Sequence, residues 1–248
     1  MKSTLSKLHQ QAQQALNEQN YQLAHQLLLS ILQQDKYFAD AYFLLAMIAS
    51  AHLNKQKTIQ LIKQAMALEP DNAEYIAHLA KHYALFNDHV LAKQYAELAA
   101  QKKITRALTF DTLGVTYSQI GLHQQAVVFF KQAVALTQTN ATFYFNLGAS
   151  LKFTGDFEGA RNAYKSTLKL APSFCKAHAA LTSLGGISAQ ENHLPQLHNL
   201  YKQLTKSDDL LYVGHALARE YEALDDYAQA FHYLSVSKQN KLAELDYS

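Results

Sequence analysis

The stretch ALTFDTLGVTYSQIGLHQQAVVFFKQAVALTQTN, residues 107–140, supplies the pattern from which the chain is read. Two amphipathic segments flank a short break at Gly121-Leu122-His123. The first carries Leu113, Gly114 and Tyr117, and the second carries Ala126, Phe130 and Ala133. Thirty-four residues further on the pattern returns as Leu147, Gly148, Gly155, Ala160, Tyr164 and then Pro172. One period earlier stand Leu79, Ala80, Tyr83, Ala92 and Ala96, and before them Leu45, Ala46, Ile62, Ala65 and Pro70. A fixed period of this size marks a repeat architecture. Large residues recur at the i, i+3, i+4, i+7 spacing of a buried helical face. The small residues between them fall where two helices of one unit must cross closely.

These residues resemble the tetratricopeptide repeat, a helix–turn–helix unit of 34 residues. Phe110, Leu113, Gly114, Tyr117, Ala126, Phe130, Ala133 and Gln138 fill the family's slots. Tyr144, Leu147, Gly148, Leu151, Ala160, Tyr164, Thr167 and Pro172 fill them again. Five copies without insertion start near Leu5, Ala39, Ala73, Ala107 and Ala141, so residues 1–174 read as five regular units. The fold expected is all-α, a right-handed superhelical solenoid of about seven helix pairs. The first helix of the first unit is polar over much of its surface, as suits a terminal repeat. Gln101-Lys102-Lys103-Ile104-Thr105 reads as a basic helix C-terminus. After Pro172 regularity decays. A helix is expected over Phe174–Leu184, Gly185-Gly186 interrupts, and a partner helix begins near Leu194-Pro195, so residues 175–207 read as a degenerate repeat. A last pair follows in 208–248, carrying Leu217, Ala218, Tyr221, Tyr227, Ala230 and Leu234, with Ser235–Ser248 as helix end and tail.

Composition narrows the function classes. Hydrophobic residues make up 49% and charged ones 17%, which excludes a disordered chain. Three prolines and eight glycines suit an almost wholly helical protein. The formal charge of +2 predicts neither nucleic acid nor an anionic membrane as partner. A single cysteine, Cys175, excludes an internal disulfide and fits a reducing compartment. The N-terminal stretch lacks a signal peptide's apolar core and no run reaches membrane-spanning length, so a cytoplasmic protein is expected.

Ala216–Ser248 is similar to the segment that joins repeats to enzyme domain in bacterial tetratricopeptide-repeat sulfotransferases. The features shared are Ala216-Leu217-Ala218-Arg219, Tyr221 through Tyr227, Ala230-Phe231, Lys238-Gln239-Asn240-Lys241 and Leu245-Asp246-Tyr247-Ser248. The resemblance implies a sulfotransferase domain beyond Ser248, for which these repeats would recruit substrate. The chain itself is expected to be non-catalytic. It contains no nucleophile–base set and no cofactor loop, and Gly155–Arg161 lacks the Lys-Ser/Thr of a phosphate-binding loop. No cofactor is expected. His78 and His82 have metal-ligand spacing but no obvious third ligand, so no metal is assigned. Cys175 beside Lys176 is either a slightly activated thiol or a buried structural one.

Function is therefore expected on the concave surface, which the resemblance places on the first helix of each unit. Phe43, Met47, Phe145 and Phe153 would accept apolar side chains there. Lys81, Asn146 and Lys152 would hold an extended peptide's backbone or carboxylates, with His78 and Asp111 beside them. The convergent Lys and Asn of a carboxylate clamp are missing, and a ladder of asparagines is reduced to Asn146. A peptide or protein ligand is the partner expected. The alternative is a free-standing scaffold for a cytoplasmic assembly, with self-association through an apolar face of the final helix.

Overall fold

The computed structural model of the protein describes residues 2–244. Leu245-Asp246-Tyr247-Ser248 of the junction-like segment lie outside the described residues. Fourteen α-helices and no strand occur among those described. They are α1 (Lys2–Asn17), α2 (Tyr21–Gln34), α3 (Ala39–Ala51), α4 (Lys55–Leu68), α5 (Ala73–Leu85), α6 (His89–Ala100) and α7 (Ala107–Gln119). There follow α8 (His123–Leu136), α9 (Ala141–Phe153), α10 (Phe157–Leu170), α11 (Cys175–Thr182), α12 (Leu194–Tyr201), α13 (Ser207–Ala223) and α14 (Tyr227–Glu244). Helices α3, α5, α7 and α9 start 34 residues apart. Contacts divide the chain into two compact units, Met1–Ala133 and Val134–Ser248, with the division inside α8. Within each unit successive helices pack on their neighbours as a helical solenoid.

The close crossings explain the small residues. An added Cβ on Gly114 would meet the ring of Phe130 at 2.5 Å, and one on Gly148 would meet the ring of Tyr164 at 2.7 Å. Ala12, Ala46 and Ala80 hold the same slot in the earlier pairs, each wholly buried. Where that slot is glycine, the facing residue is a ring. Burying such a side chain stabilises the pair by roughly 1.5–3 kcal/mol. Further along the same pairs Tyr83 stacks on Tyr95 at 5.5 Å, and Tyr117 on Phe129 at 5.2 Å.

Each regular turn places one residue in the left-handed region and, except at Gly121-Leu122, a side-chain cap after it. Gln19, Leu53, Asn87, Gly121, Gly155 and Asp225 take φ between 57° and 84°. Asn20, Asn54, Asp88, Asp156 and Asp226 then accept a backbone N–H of the second helix at 2.8–3.1 Å. Such a cap satisfies a donor that the helix start leaves unpaired and contributes about 1 kcal/mol.

Several local expectations are corrected. Residues 101–105 do not end a helix: α6 stops at Ala100, and Lys102 instead pairs with Asp71 at 2.7 Å. The segment 174–184 supplies only the eight residues of α11, because Gly185 and Gly186 both take positive φ and terminate it. Pro195 sits in the first turn of α12, where its missing N–H costs nothing. Ser235–Glu244 is the helix end of the expected stretch, and the rest of it lies outside the described residues. This helix end continues α14, with Ser237 packed under Gly214 of α13.

Candidate functional site: a groove in the first unit

In the first unit α1, α3, α5 and the start of α7 line a groove of about 560 Å³. Leu16, Phe43, Leu44, Met47 and Leu108 form its apolar wall, while Asp40, Glu74 and Arg106 supply charge. His78 stands at the base, its ring edge-on to Phe43 at 4.9 Å, and Phe43 lies 4.9 Å from Tyr75.

The imidazoles on this face are neutral at pH 7. Burial pushes His78 down to about 3 and His82 down to about 4, with the nearby charge of Lys81 acting in the same direction. Their Nδ1 atoms are buried without a hydrogen-bond partner. His78 therefore contributes shape and weak polarity, and no cation, to the groove. Among the described residues no group of three or more His, Cys, Asp or Glu is placed to hold a metal ion.

Charge is ordered by contacts about one repeat apart. Tyr75 donates its hydroxyl hydrogen to Asp40 Oδ1, and His9 Nε2 lies 3.3 Å from Asp40 Oδ2. Arg106, immediately before α7, donates to Glu74 Oε2. Burial raises the Glu74 carboxyl above its ordinary value, outweighing the lowering by Arg106, and the charge of Asp40 raises it further. The two carboxylates thus share the groove with one guanidinium.

The nine residues singled out by sequence are not gathered in one place. Phe43, Met47 and His78 line the groove together. Lys81 sits between the two histidines on α5, outside the lining, and Asp111 is buried on α7. Phe145, Asn146, Lys152 and Phe153 belong to the second unit. There Phe145 stacks on Phe174 at 5.0 Å, a packing role. Lys152 donates to Ser183 Oγ at 2.9 Å, and Phe153 is largely exposed at the end of α9. Cys175 is buried, and burial pushes its thiol up to about 11, with Asp209 adding to the shift, so the activated-thiol reading is overturned. Sequence reasoning passed over Tyr75 and Arg106. The available signal was opposite charge at one-period spacing, as in Glu74 with Arg106 and Asp71 with Lys102.

Stacked helix pairs with a concave groove define an α-solenoid of the helix–turn–helix repeat class. The tetratricopeptide-repeat family model matches residues 109–140 and 141–174. Protein FlbA of Caulobacter vibrioides is 25% identical over 168 residues, which are 66% of this chain and 28% of FlbA. The chain thus spans less than a third of that curated relative. A solved structure of Pseudomonas aeruginosa pilF covers 98% of both chains at a TM-score of 0.61 and 18% identity. YrrB, described as a TPR protein with an unusual peptide-binding site, covers 83% of this chain and 96% of its own at a TM-score of 0.53 and 16% identity. These likenesses establish the fold. No helix among the described residues is long and apolar enough to cross a membrane.

Proposed function

We propose that the chain is a peptide- or protein-binding module that takes its ligand in the groove of the first unit. The observation that carries this reading is the convergence of Phe43, Met47 and His78 on one 560 Å³ concavity, walled apolar and edged with charge. Grooves of that size and mix accept a few side chains of a bound segment and fix its direction through polar contacts. The peptide-binding site of YrrB is a feature of that protein and supports the reading by analogy of fold alone. The test is capture of arrayed random twelve-residue peptides by the full chain. Met47→Arg, which puts a cation into the apolar wall, should abolish capture while leaving the helical content and melting temperature near wild type. Undiminished capture by that variant sinks the reading.

The similarity of residues 216–248 to a sulfotransferase junction favours a second level to this function. In it the repeats recruit substrate or partner for a sulfotransferase domain of a longer cytoplasmic polypeptide. The described part of that segment forms the α13–α14 hairpin, with Ala216 and Leu217 in its core. An antibody against the repeats should then detect, in source-cell lysate, a band near twice the 27.8 kDa of this chain. A band at the present size favours a free-standing scaffold.

A further inference from the structure

Resting on the groove reading above, we propose that the bound segment is basic: an apolar side chain seated on Phe43, Met47 and Leu108, with an adjacent lysine or arginine facing Asp40 and Glu74. The charge balance of the groove carries this inference. Asp40 stands on α3 and Glu74 one period later on α5, at matching positions, so both carboxylates face the same concavity. Asp40 is held from one side by the Tyr75 hydroxyl and approached by His9 at 3.3 Å, yet its side chain stays 42% exposed. Among the described residues the one lysine or arginine paired with either carboxylate is Arg106, whose side chain is 60% exposed while that of Glu74 is 17% exposed.

An ion pair with so exposed a partner is screened by water and weak, so a ligand cation can displace or join Arg106 at small cost. A ligand carboxylate would meet two like charges, and exclusion of that kind is how a groove discriminates. The floor cannot reverse this preference, because His78 is neutral and packs, half-buried, edge-on against Phe43. The groove is thereby the opposite in sign of a carboxylate clamp. Its partner is a protein segment in which Leu, Ile, Phe or Met neighbours Lys or Arg.

The test uses the same twelve-residue array with the full chain, followed by titration of the strongest binder in solution. Captured peptides should be enriched in Lys or Arg next to an apolar residue. Replacing that basic residue by norleucine should weaken binding roughly tenfold, the loss of one charge-assisted contact. The same replacement should change affinity little when the protein carries Asp40→Asn with Glu74→Gln. Captured peptides without basic enrichment, or an undiminished tenfold loss in the double variant, overturn this inference and leave the groove reading standing. Capture unaffected by both Met47→Arg and Leu108→Arg removes the groove itself, and this inference with it. Leu108 is 47% exposed, so its variant tests the groove even where Met47→Arg fails to fold.

Discussion

The pairs α9–α10 and α11–α12 begin one period apart, at Ala141 and Cys175, but only the first closes as a regular hairpin. In α9–α10 a single left-handed glycine, Gly155, turns the chain and Asp156 takes the Gly159 N–H at 2.8 Å. Gly148 then admits the Tyr164 ring, and the pair is specified by its own residues. In α11–α12 two left-handed glycines follow one another and α11 ends after eight residues. The second helix starts only at Leu194, with no side-chain cap from His193. Neighbouring helices hold the segment between. Arg161 of α10 donates to the carbonyls of Leu184 at 3.4 Å and Gly185 at 2.9 Å. Glu220 of α13, wholly buried, accepts both the His193 backbone N–H at 3.1 Å and its Nδ1 at 2.8 Å. One pair is built from local signals, the other is tied down from outside, and the two should fail in different ways.

The largest effect is expected in the regular pair. Tyr164→Ala removes a ring that is 2% exposed and leaves a cavity over Gly148. Large-to-small changes of an aromatic core residue cost roughly 3–5 kcal/mol. Denaturant unfolding should show that loss cooperatively through α9–α10. A loss below 1 kcal/mol would mean that the ring and the glycine do not form the joint argued here.

The second effect is smaller and local. Glu220→Ala deletes two hydrogen bonds from a charged, buried acceptor, each class of contact being worth roughly 1.5–3 kcal/mol. Hydrogen exchange should accelerate for residues 183–193 and stay unchanged in α9 and α10. Acceleration spread evenly over both pairs would erase the distinction between local and external support.

This contrast also explains what was legible in the sequence. The regular pairs were readable because each buried slot repeats: Leu28, Ile62, Ala96, Phe130 and Tyr164 occupy one register, all nearly or wholly buried. Asn20, Asn54, Asp88 and Asp156, which cap the second helices, recur at the same period but stand outside the hydrophobic pattern from which the units are read. The contacts of the opened pair have no period at all. Glu220 lies 27 residues from His193 and looks like any surface glutamate on a helix. The groove was half legible for a related reason. Repeat position located Phe43, Met47 and His78, but it equally selected Phe145 and Lys152, whose partners are Phe174, the last residue of the fifth unit, and Ser183 beyond it.

The mildest expected effect separates the pairs by acid. Residues 141–170 contain no histidine, whereas the opened pair carries His178, His193 and His198. Burial lowers His178, whose Nε2–H donates to the Pro172 carbonyl at 2.8 Å; that bond and Glu220 oppose the shift, while His193 adds to it. Burial also lowers His198, which lies between the hydroxyls of Tyr221 and Tyr233, and Lys202 acts in the same sense. Folded values below the unfolded value of about 6.5 mean that the unfolded chain binds more protons as the medium turns acid. The stability these groups contribute is therefore complete above about pH 6.5 and is lost as pH falls through their folded values. The slope is at most about 1.4 kcal/mol per pH unit for each histidine. Amide exchange, corrected for its intrinsic pH dependence, should consequently show residues 175–201 loosening between pH 7 and pH 5 while 141–170 hold. In Glu220→Ala the acid loss should be steeper, since the carboxylate that favours His178 protonation is gone. Equal acid sensitivity in the two pairs would assign the opened segment's stability to something other than its buried imidazoles.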